Sequence, residues 1–419
     1  MPEKTARVVV FFYNRLFDPL IQGNFLVFVE SYLKQEPGRY RFHLVTYENA
    51  QLPLTPAQQT TVAEMKRQGL EWTPLQWHPG TGIFNKLADI AAGFWAVLKL
   101  RSKGYRHLIA YNSVAGSFCY LYAKLFRLRL FLYTYEPHSE YSADNGMLSI
   151  ECMQYRALNS LERKAAFYAA VISSGTRFMQ QRLERDWKVP GRFFKIPSVT
   201  DCRKFAFTPE VREAVRSELG IAPETRVLFY PGKFGSLYYG VEIAWMYRWL
   251  LDEEPALHFL VVTQQPEAEI TAMFTQAGVP RVSYSIRKSD YHEVQRFFFA
   301  ADFGIIAVPA GPSKKFISNI KVGEYLCSGL PFLITRGVSE DYLVAEERGV
   351  GVVVDDFAET DIRLAWPAIR AFLEMDPKKR RAICVEVGRT YRGFESLNPV
   401  FRAAMEELIC DLPALDSSL

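Results

Sequence analysis

The sequence predicts an α/β protein with more than one doubly wound domain. Short apolar runs with strand character alternate with longer helical patterns through most of the chain, as expected for parallel sheets covered by helices. The first run, Arg7–Tyr13, is almost unbroken in its apolar character, which is typical of a parallel strand buried on both faces. At roughly 100–200 residues per domain, a chain of 419 residues is expected to form two or three domains.

The first half of the chain places a candidate binding loop directly after its first strand. Further strands are predicted at 40–47, 71–75, 107–111, 130–135 and 169–174, and helices at 24–33, 84–100, 117–126, 158–167 and 176–187. Such sheets bind ligands in the loops at the carboxyl ends of their strands. The loop with Asn14, Gln22 and Gly23 is therefore a candidate wall of the binding cleft. It lacks a Gly-x-Gly-x-x-Gly sequence, which disfavours a dinucleotide-dependent dehydrogenase.

A second candidate loop, Glu136–Tyr141, follows the predicted strand 130–135. Pro137 is expected to stop any helix there, so this segment is predicted to be a loop at the carboxyl edge of the sheet. His138 lies in it, with Glu136 and Glu140 on either side, where they can orient the imidazole or meet a substrate hydroxyl. A lone histidine is more often structural, and each carboxylate has the alternative of a solvated loop position.

The predicted helix that begins at Phe84 has two interpretations. From Phe84 to Arg106 the sequence mixes Phe, Trp and Leu with Lys and Arg, which is compatible with a helix lying on a membrane surface. A helix packed in the core with basic ends is the favoured alternative. No apolar run approaches the roughly 20 residues of a membrane span.

The second half begins with a strand, Arg226–Tyr230, that leads into a glycine-containing turn. In Pro231–Ser236, backbone amides at the glycines can approach a phosphate, and Lys233 can supply a positive charge. A plain surface turn is at least as compatible with these residues. Further on, Lys314 and Lys315 add charge, or form a solvated lysine pair.

The remaining elements of the second half continue the alternation of strands and helices. Strands are predicted at 258–263, 282–286, 303–308 and 349–354. Helices are predicted at 242–251, 266–275, 291–301 and 340–348, and two more helices are predicted to start at Pro367 and at Asp376-Pro377.

The segment Ile317–Thr335 predicts a capped helix followed by a buried strand. Ser318 or Asn319 can cap the helix, whose apolar face recurs at three- and four-residue spacing. Gly329 lies where a left-handed C-terminal cap is wanted, and Pro331 blocks continuation. Lys321 and Glu324 are three residues apart and are expected to share the solvent or cleft side. The N-terminus of such a helix can bind an anion, although a plain amphipathic helix with a surface ion pair is the alternative.

This segment resembles the nucleotide-sugar-binding segment of retaining GT-B glycosyltransferases of family 4, Lys-x-x-Glu-Tyr-Leu/Met-Ala-x-Gly-x-Pro. Cys327 stands at the usual Ala position. The resemblance covers nearly the whole chain and is strongest over about its last half. It implies two Rossmann-like domains that face each other across a cleft: an acceptor-binding domain (1–200) and a nucleotide-sugar-binding domain (201–395). The segment 396–419 would then pack back on the first domain.

The resemblance also implies roles for individual residues. Glu324 would bind the ribose hydroxyls, and Lys233 and the helix N-terminus at Lys321 would stabilise the departing diphosphate. His138 would lie near the hydroxyls of the donor sugar. The implied donor contacts are Gly232, Lys233, Lys314, Ser318, Asn319, Lys321, Val322 and Glu324, and the acceptor-side residues are Asn14, Gln22, Gly23 and Glu136. Neither a metal ion nor a separate cofactor is expected.

Two positions depart from the family pattern. Tyr239 stands where the family has a second diphosphate-binding Lys, and Phe316 stands where the family often has the first of two Glu residues.

The expected function is transfer of a hexosyl-type sugar, with retention, to a hydroxyl acceptor on a glycan or lipid-linked glycan, as in polysaccharide biosynthesis. The alternatives are a GT-B-fold isomerase or phosphorylase and a non-catalytic binding or assembly subunit.

Composition sets the expected partners and compartment. The net charge of +4 is small for this length and does not favour a nucleic acid partner. The six cysteines are scattered without a Cys-x-x-Cys pair, which favours reduced thiols. The N-terminus leads straight into a strand and does not resemble a signal peptide. A cytoplasmic protein is therefore expected, with peripheral contact with the inner face of a membrane as a further expectation.

Overall fold

Both halves of the chain form parallel sheets covered by helices, and this confirms the predicted α/β class. The computed structural model describes residues 5–80, 82–134, 136–290 and 293–410, and at Ile83 it describes the backbone. The chain divides into unit 1, which contains the residues up to Pro197 and those from Asn398 on, and unit 2, which is Ser198–Leu397. The tail Asp411–Leu419 and the end of the strand predicted at 130–135 lie outside the described residues.

Unit 1 contains one seven-stranded sheet. Its strands are β1 (Ala6–Phe12), β2 (Tyr40–Glu48), β3 (Glu71–Gln76), β4 (His107–Tyr111), β5 (Arg129–Tyr133), β6 (Val171–Ser174) and β7 (Arg192–Lys195). Its helices are α1 (Pro19–Asn24), α2 (Leu26–Gln35), α3 (Pro56–Arg67), α4 (Ile83–Ser102), α5 (Ser113–Phe126), α6 (His138–Asp144), α7 (Met153–Tyr168) and α8 (Arg177–Gln181), which continues as a π-helical turn over Arg182–Asp186. The parallel strands lie in the order β3-β2-β1-β4-β5-β6-β7.

Unit 2 contains a six-stranded parallel sheet in the order β10-β9-β8-β11-β12-β13, whose strands are β8 (Val227–Pro231), β9 (His258–Val262), β10 (Tyr284–Arg287), β11 (Phe303–Ile306), β12 (Phe332–Thr335) and β13 (Gly351–Val354). Its helices are α9 (Pro209–Leu219), α10 (Val241–Glu253), α11 (Glu267–Gln276), α12 (Gln295–Ala300), α13 (Ile320–Cys327), α14 (Asp341–Arg348), α15 (Glu359–Glu374) and α16 (Pro377–Tyr391), with 3₁₀ turns at Arg281–Ser283 and Lys314–Phe316. Aromatic and aliphatic side chains fill both faces of this sheet.

The last helix, α17 (Phe394–Ile409), belongs to unit 1 from Asn398 on. The ring of Phe401 is fully buried and stacks on Phe28 at a centroid distance of 4.4 Å. The guanidinium of Arg39 reaches the Glu406 carboxylate at 2.5 Å, which adds an ion pair at the rim of this contact. Burial of aromatic rings, with the charges kept at the edge, therefore stabilises α17 against α2.

Local capping explains several differences between the predicted and observed helices. Asp18 accepts a hydrogen bond from Leu20 N, and Pro19 occupies the first position, so helix α1 forms where a loop was predicted. Helix α3 was missed, although Thr55 and Gln58 form a capping box at its start. The prediction that Pro367 begins a helix is wrong. It lies inside α15, whose other face buries side chains such as Trp366.

The expectation of reduced thiols is also wrong for one pair. Cys202 and Cys327 form a disulfide that joins the first residues of unit 2 to the C-terminal end of α13. The two positions are 125 residues apart, so no short sequence motif marks the pair. The other cysteines in the described residues are free.

Candidate functional site

The strand order of unit 2 reverses between β8 and β11, which creates a crevice at their carboxyl ends. The ladder pairs Leu228 with Phe303 and Phe229 with Gly304. Beyond these pairs the Tyr325 hydroxyl lies between the strands, 3.0 Å from the Phe229 carbonyl oxygen and 2.9 Å from the Ile305 carbonyl oxygen. The tyrosine of α13 therefore satisfies the backbone groups that the diverging strands leave unpaired.

Helix α13 begins at this crevice. Asn319 is its N-cap and accepts a hydrogen bond from Lys321 N at 3.0 Å, as one of the two predicted caps. At the other end Gly329 has φ +78°, and Leu330 N donates to Tyr325 O at 2.9 Å, as predicted for a left-handed C-terminal cap. These two caps fix the helix so that its positive end points at the crevice.

The side chain of Lys321 reaches back to the turn after β8. Its Nζ lies 4.7 Å from the ring centroid of Tyr238 and 5.7 Å from that of Tyr230. A Cβ at Gly232 would lie 3.1 Å from the same Nζ and 2.7 Å from the Tyr230 ring, so this position accepts little beyond glycine. The crevice thus combines a half-buried ammonium, a glycine and a helix N-terminus, which together form an anion-binding environment.

Glu324 lies one helical turn beyond Lys321 and is buried rather than solvent-facing, with 8% of its surface exposed. Burial raises the pKa of Glu324 to about 7, against the attraction of Lys321. Within the described part of the chain, no group donates a hydrogen bond to its carboxylate. A buried carboxylate without a donor is costly, and hydroxyl donors from a ligand would satisfy it.

The structure places the other predicted donor contacts in different environments. Ser318 is held by its neighbours, because its Oγ accepts hydrogen bonds from Ser198 N at 2.9 Å and from the Arg392 guanidinium at 2.7 Å. The side chain of Val322 is fully buried in the hydrophobic core, which leaves its backbone for any ligand. Lys233 is exposed on the turn after β8, whereas Lys314 is buried, contrary to the interpretation as a solvated pair.

The two positions that depart from the family pattern are both buried. Tyr239 stacks on Phe357 at 4.4 Å, and its hydroxyl donates to the Asp356 carboxylate. Phe316 is part of the 3₁₀ turn before α13 and is 5% exposed. Both residues support the loops around the crevice by packing.

Unit 1 has its own reversal of strand order, between β1 and β4. Asn14 follows β1 and Asn112 follows β4, and the Asn112 amide donates to Asn14 Oδ1 at 2.8 Å. Asn112 also caps α5 and adopts φ 73°, ψ 167°, a conformation that is strained for a residue other than glycine. Sequence reasoning found Asn14 but missed Asn112, because nothing local marks a partner 98 residues away.

The remaining acceptor-side residues of unit 1 are placed differently from the prediction. Gln22 and Gly23 lie in helix α1 rather than in a loop, and the Gln22 amide donates to Leu16 O at 2.8 Å. His138 is the first residue of helix α6. Pro137 is the N-cap of this helix and does not prevent it from forming. The prediction of a loop at Glu136–Tyr141 is therefore wrong from His138 on.

His138 lies in a cluster of carboxylates. Its Nδ1 is 3.6 Å from Glu136 Oε1. Burial lowers the pKa of His138, but the carboxylates of Glu136 and Glu162 outweigh burial and leave that pKa above its ordinary value. Burial raises the pKa of Glu162 to about 7, although Glu162 accepts hydrogen bonds from Ser139 N at 3.1 Å and Ser139 Oγ at 2.5 Å. Glu140 pairs instead with Arg182, at 2.8 Å for one of its two contacts.

A second polar cluster in unit 1 was not predicted. Asp89 of α4 is fully buried and accepts hydrogen bonds from the Tyr13 hydroxyl at 2.5 Å and from His78 Nδ1 at 2.7 Å. Lys86 Nζ donates to the Tyr13 hydroxyl at 2.7 Å. Tyr13 directly follows β1, so this cluster lies at the carboxyl edge of the sheet near Asn14. Across the described residues, no group of His, Cys, Asp and Glu has the arrangement of a metal site.

Known structures with similar folds span almost the whole chain, whereas no family model and no curated protein matches it. Sucrose-phosphate synthase from Thermosynechococcus elongatus is 13% identical with a TM-score of 0.70, and the match covers 96% of this chain and 99% of that chain. HepE from Anabaena, solved in complex with UDP and glucose, is 12% identical with a TM-score of 0.67, and the match covers 95% and 99%. WaaG, a glycosyltransferase involved in lipopolysaccharide biosynthesis, is 16% identical with a TM-score of 0.64, and the match covers 96% and 99%. Because the sequence identities are this low, the structural similarity establishes the GT-B fold of this chain and no more.

Proposed function

We propose that the protein is a glycosyltransferase that moves a sugar from a nucleoside-diphosphate sugar to a hydroxyl acceptor with retention of configuration. The carrying observation is Glu324, a carboxylate 8% exposed at the carboxyl edge of the unit 2 sheet, to which no described group donates a hydrogen bond. Lys321, one turn before it, offers the opposite charge at the same crevice. A ligand with adjacent hydroxyls and a diphosphate complements both groups.

In this proposal Glu324 accepts hydrogen bonds from the ribose hydroxyls. The diphosphate lies at the N-terminus of α13, where Lys321, the Gly232 turn and the unpaired backbone amides favour negative charge. Lys233 is exposed on the same turn and can reach the diphosphate, while Ser318 and Asn319 fix the entry to the helix. Lys314, buried in the 3₁₀ turn before α13, would add positive charge.

The chemistry follows from stabilising the leaving group. The bond between the anomeric carbon and the diphosphate oxygen breaks, and the acceptor oxygen bonds to the same face of that carbon as its proton passes to the leaving diphosphate. Cations and amides aimed at the diphosphate stabilise the charge that develops there, so we propose a reaction without a metal ion. His138 positions donor or acceptor hydroxyls and does not act as an obligate base.

On the acceptor side we propose contacts from Asn14, Gln22, Gly23 and Glu136 at the carboxyl edge of the unit 1 sheet. The hydroxyl acceptor would be a glycan or a lipid-linked glycan, and the protein would act in the cytoplasm with peripheral contact with a membrane. A hexosyl group is the proposed cargo.

A second candidate, a non-catalytic nucleotide-binding or assembly subunit, rests on a specific observation. Tyr239 and Phe316, which replace a cation and a carboxylate of the family pattern, are both buried by packing and offer no charged group to a donor. Turnover of a donor in the presence of a hydroxyl acceptor would separate the two candidates.

The proposal is tested by a thermal-shift screen with UDP, GDP, ADP and CMP. A nucleotide at about 100 times its dissociation constant stabilises a protein by roughly 2.7 kcal/mol, which corresponds to a shift of about 5–10 °C for a domain of this size. We expect a shift with one nucleotide that is lost in Glu324→Ala and kept in Glu269→Ala, an exposed glutamate of α11 in the same unit. The absence of a shift with any nucleotide would contradict the proposal.

A further inference from the structure

Helices α4, α5 and α7 of unit 1 leave a large apolar surface exposed. α5 packs between α4 and α7, so the three helices lie side by side. Most of the exposed large hydrophobic side chains in the described residues belong to these helices or to the segment before α7: Phe84, Leu87, Trp95, Leu121, Leu125, Met147, Ile150, Met153 and Phe167. One face of α4 packs in the core, as was favoured from the sequence, because Asp89, Val97 and Leu100 are buried. Its other side is exposed, with Phe84 at 82% and Trp95 at 65%. Large exposed apolar side chains concentrated on neighbouring helices are typical of an interaction site.

The charge on the same three helices has one sign. Their basic residues are Lys86, Lys99, Arg101, Lys124, Arg156, Arg163 and Lys164. Their acidic residues are Asp89 and Glu162, and both are buried, with exposures of 0% and 9%. The three helices therefore present cations and apolar groups without exposed carboxylates, and Glu151 is the exposed acidic residue of the segment before α7.

A groove between α5 and α7 concentrates these cations. It has a volume of about 720 Å³, and its lining includes Tyr120, Lys124, Tyr155, Arg156, Arg163 and Lys164. Leu121 and Leu125 are exposed on α5, the helix whose Lys124 lines the groove, and Phe167 of α7 also lines it. The groove suits a phosphate-bearing group whose attached chains are apolar.

We propose that this face docks on a bilayer that contains anionic phospholipid. Phosphate headgroups would enter the groove, and Phe84, Trp95 and Leu125 would lie at the boundary between headgroups and acyl chains. A second copy of the chain fits the face poorly, because a two-fold contact would bring cations against cations. None of the described helices is long and apolar enough to cross a bilayer, so the contact is interfacial.

This inference builds on the peripheral location in the proposed function, but it does not depend on the transfer reaction. The test is flotation of the full-length protein with vesicles of phosphatidylcholine alone, or with part of the lipid replaced by phosphatidylglycerol. We expect at least about tenfold stronger partitioning onto the anionic vesicles, and loss of that preference in high salt. Equal partitioning onto both vesicles, or none onto either, would overturn the proposal.

Charge-reversal variants locate the surface. The combination Lys124→Glu, Arg156→Glu and Lys164→Glu is expected to weaken partitioning more than about 100-fold, at roughly fivefold for each cation removed. The matched control, Arg348→Glu, Lys378→Glu and Lys379→Glu, reverses three exposed cations of unit 2 and is expected to leave it unchanged. Equal effects of the two triple variants would overturn the assignment to this face.

A second pair of variants tests the apolar contribution. Trp95→Ser is expected to weaken partitioning, whereas Leu364→Ser, which removes an exposed leucine of unit 2, is not. Circular dichroism confirms that each variant folds, and Glu324→Ala is expected to float like the wild type, so failure of nucleotide binding is separate from failure here. Light scattering that showed a dimer dissolved by the α5–α7 triple variant, without vesicle binding, would instead assign the face to a second copy.

Discussion

Among the residues that the structure describes, each unit contains one buried glutamate whose pKa is raised to about 7, Glu162 in unit 1 and Glu324 in unit 2. Burial is the main cause in both, and both are at most 9% exposed. They differ in their hydrogen bonds. Glu162 accepts from the amide and hydroxyl of Ser139, whereas no described group donates to Glu324. A raised pKa alone therefore does not distinguish a structural carboxylate from a ligand-binding one, but the missing donors do.

The same contrast applies to the two crevices. At the strand reversal of unit 1, Asn14 and Asn112 bond to each other. At the reversal of unit 2, Lys321 lies on two tyrosine rings beside a glycine, and its charge has no carboxylate within ion-pair distance among the described residues. We infer that the crevice of unit 2 is prepared for a negatively charged ligand.

The largest expected effect is on nucleotide affinity, which should differ between variants of the two glutamates. Glu324→Ala is expected to weaken binding of the preferred nucleotide at least about 100-fold, because hydrogen bonds to a charged group contribute roughly 1.5–3 kcal/mol each. Glu162→Ala is expected to leave the affinity unchanged. Calorimetric titration measures both, and equal losses in the two variants would remove the distinction drawn here.

The next effect concerns stability. The pKa of Glu324 is higher in the folded protein, about 7, than its ordinary value of 4.5. The free energy of unfolding therefore falls as the pH rises from about 4.5 to about 7. Glu324→Gln is therefore expected to raise the free energy of unfolding by about 3 kcal/mol at pH 8 and to change it little at pH 4. Urea unfolding at the two pH values measures this difference.

Glu162→Ala is expected to lower the free energy of unfolding, in contrast to Glu324→Gln. It leaves the Ser139 amide and hydroxyl buried without an acceptor, so a loss of about 2–4 kcal/mol is expected. If Glu324→Gln also lowered stability at pH 8, the carboxylate of Glu324 would have a protein donor after all.

A pH dependence of donor affinity follows from the same pKa. The ionised carboxylate is the form that accepts ribose hydrogen bonds, so affinity for a nucleoside-diphosphate sugar is expected to rise about tenfold between pH 6 and pH 8, as set by a pKa of about 7. Glu324→Gln should bind weakly at every pH. A wild-type affinity that stayed constant over this range would contradict the assignment.

The smallest effect compares two lysines of unit 2. Lys321→Gln removes a half-buried ammonium and is expected to weaken nucleotide binding about tenfold, whereas Lys233→Gln removes an exposed one and should weaken it less than about threefold. The same calorimetric titration measures both variants. A reversed order would move the diphosphate from the helix N-terminus to the turn after β8.

Local signals in the sequence predicted much of the fold. The apolar strands, the Asn319 cap and the Gly329 C-terminal cap of α13 were all recognised, because each depends on residues close in sequence. Helices α1 and α3 and the start of α6 were missed or taken as loops, although Asp18, Thr55 and Pro137 mark their first turns. In these cases the signals were present and short helices were underestimated.

Contacts between distant segments were beyond sequence reasoning. The spacing of Lys321 and Glu324 put them on one side of α13, but it does not reveal that the surrounding chain buries Glu324. The approach of Lys321 to Gly232, the pairing of Asn14 with Asn112 and the Cys202–Cys327 disulfide each join residues far apart in the chain. Such contacts depend on strand order, which periodicity does not specify.

The most direct test of the central claim, that Glu324 accepts hydrogen bonds from the ribose of a nucleotide donor, is a titration cycle. Wild type and Glu324→Gln are each titrated with the preferred nucleotide and with its 2′-deoxy analogue, and Glu269→Gln serves as the matched control. We predict that the deoxy analogue binds wild type about 10–100-fold more weakly, and that this ratio falls close to one in Glu324→Gln. The same ratio in both proteins would contradict the claim.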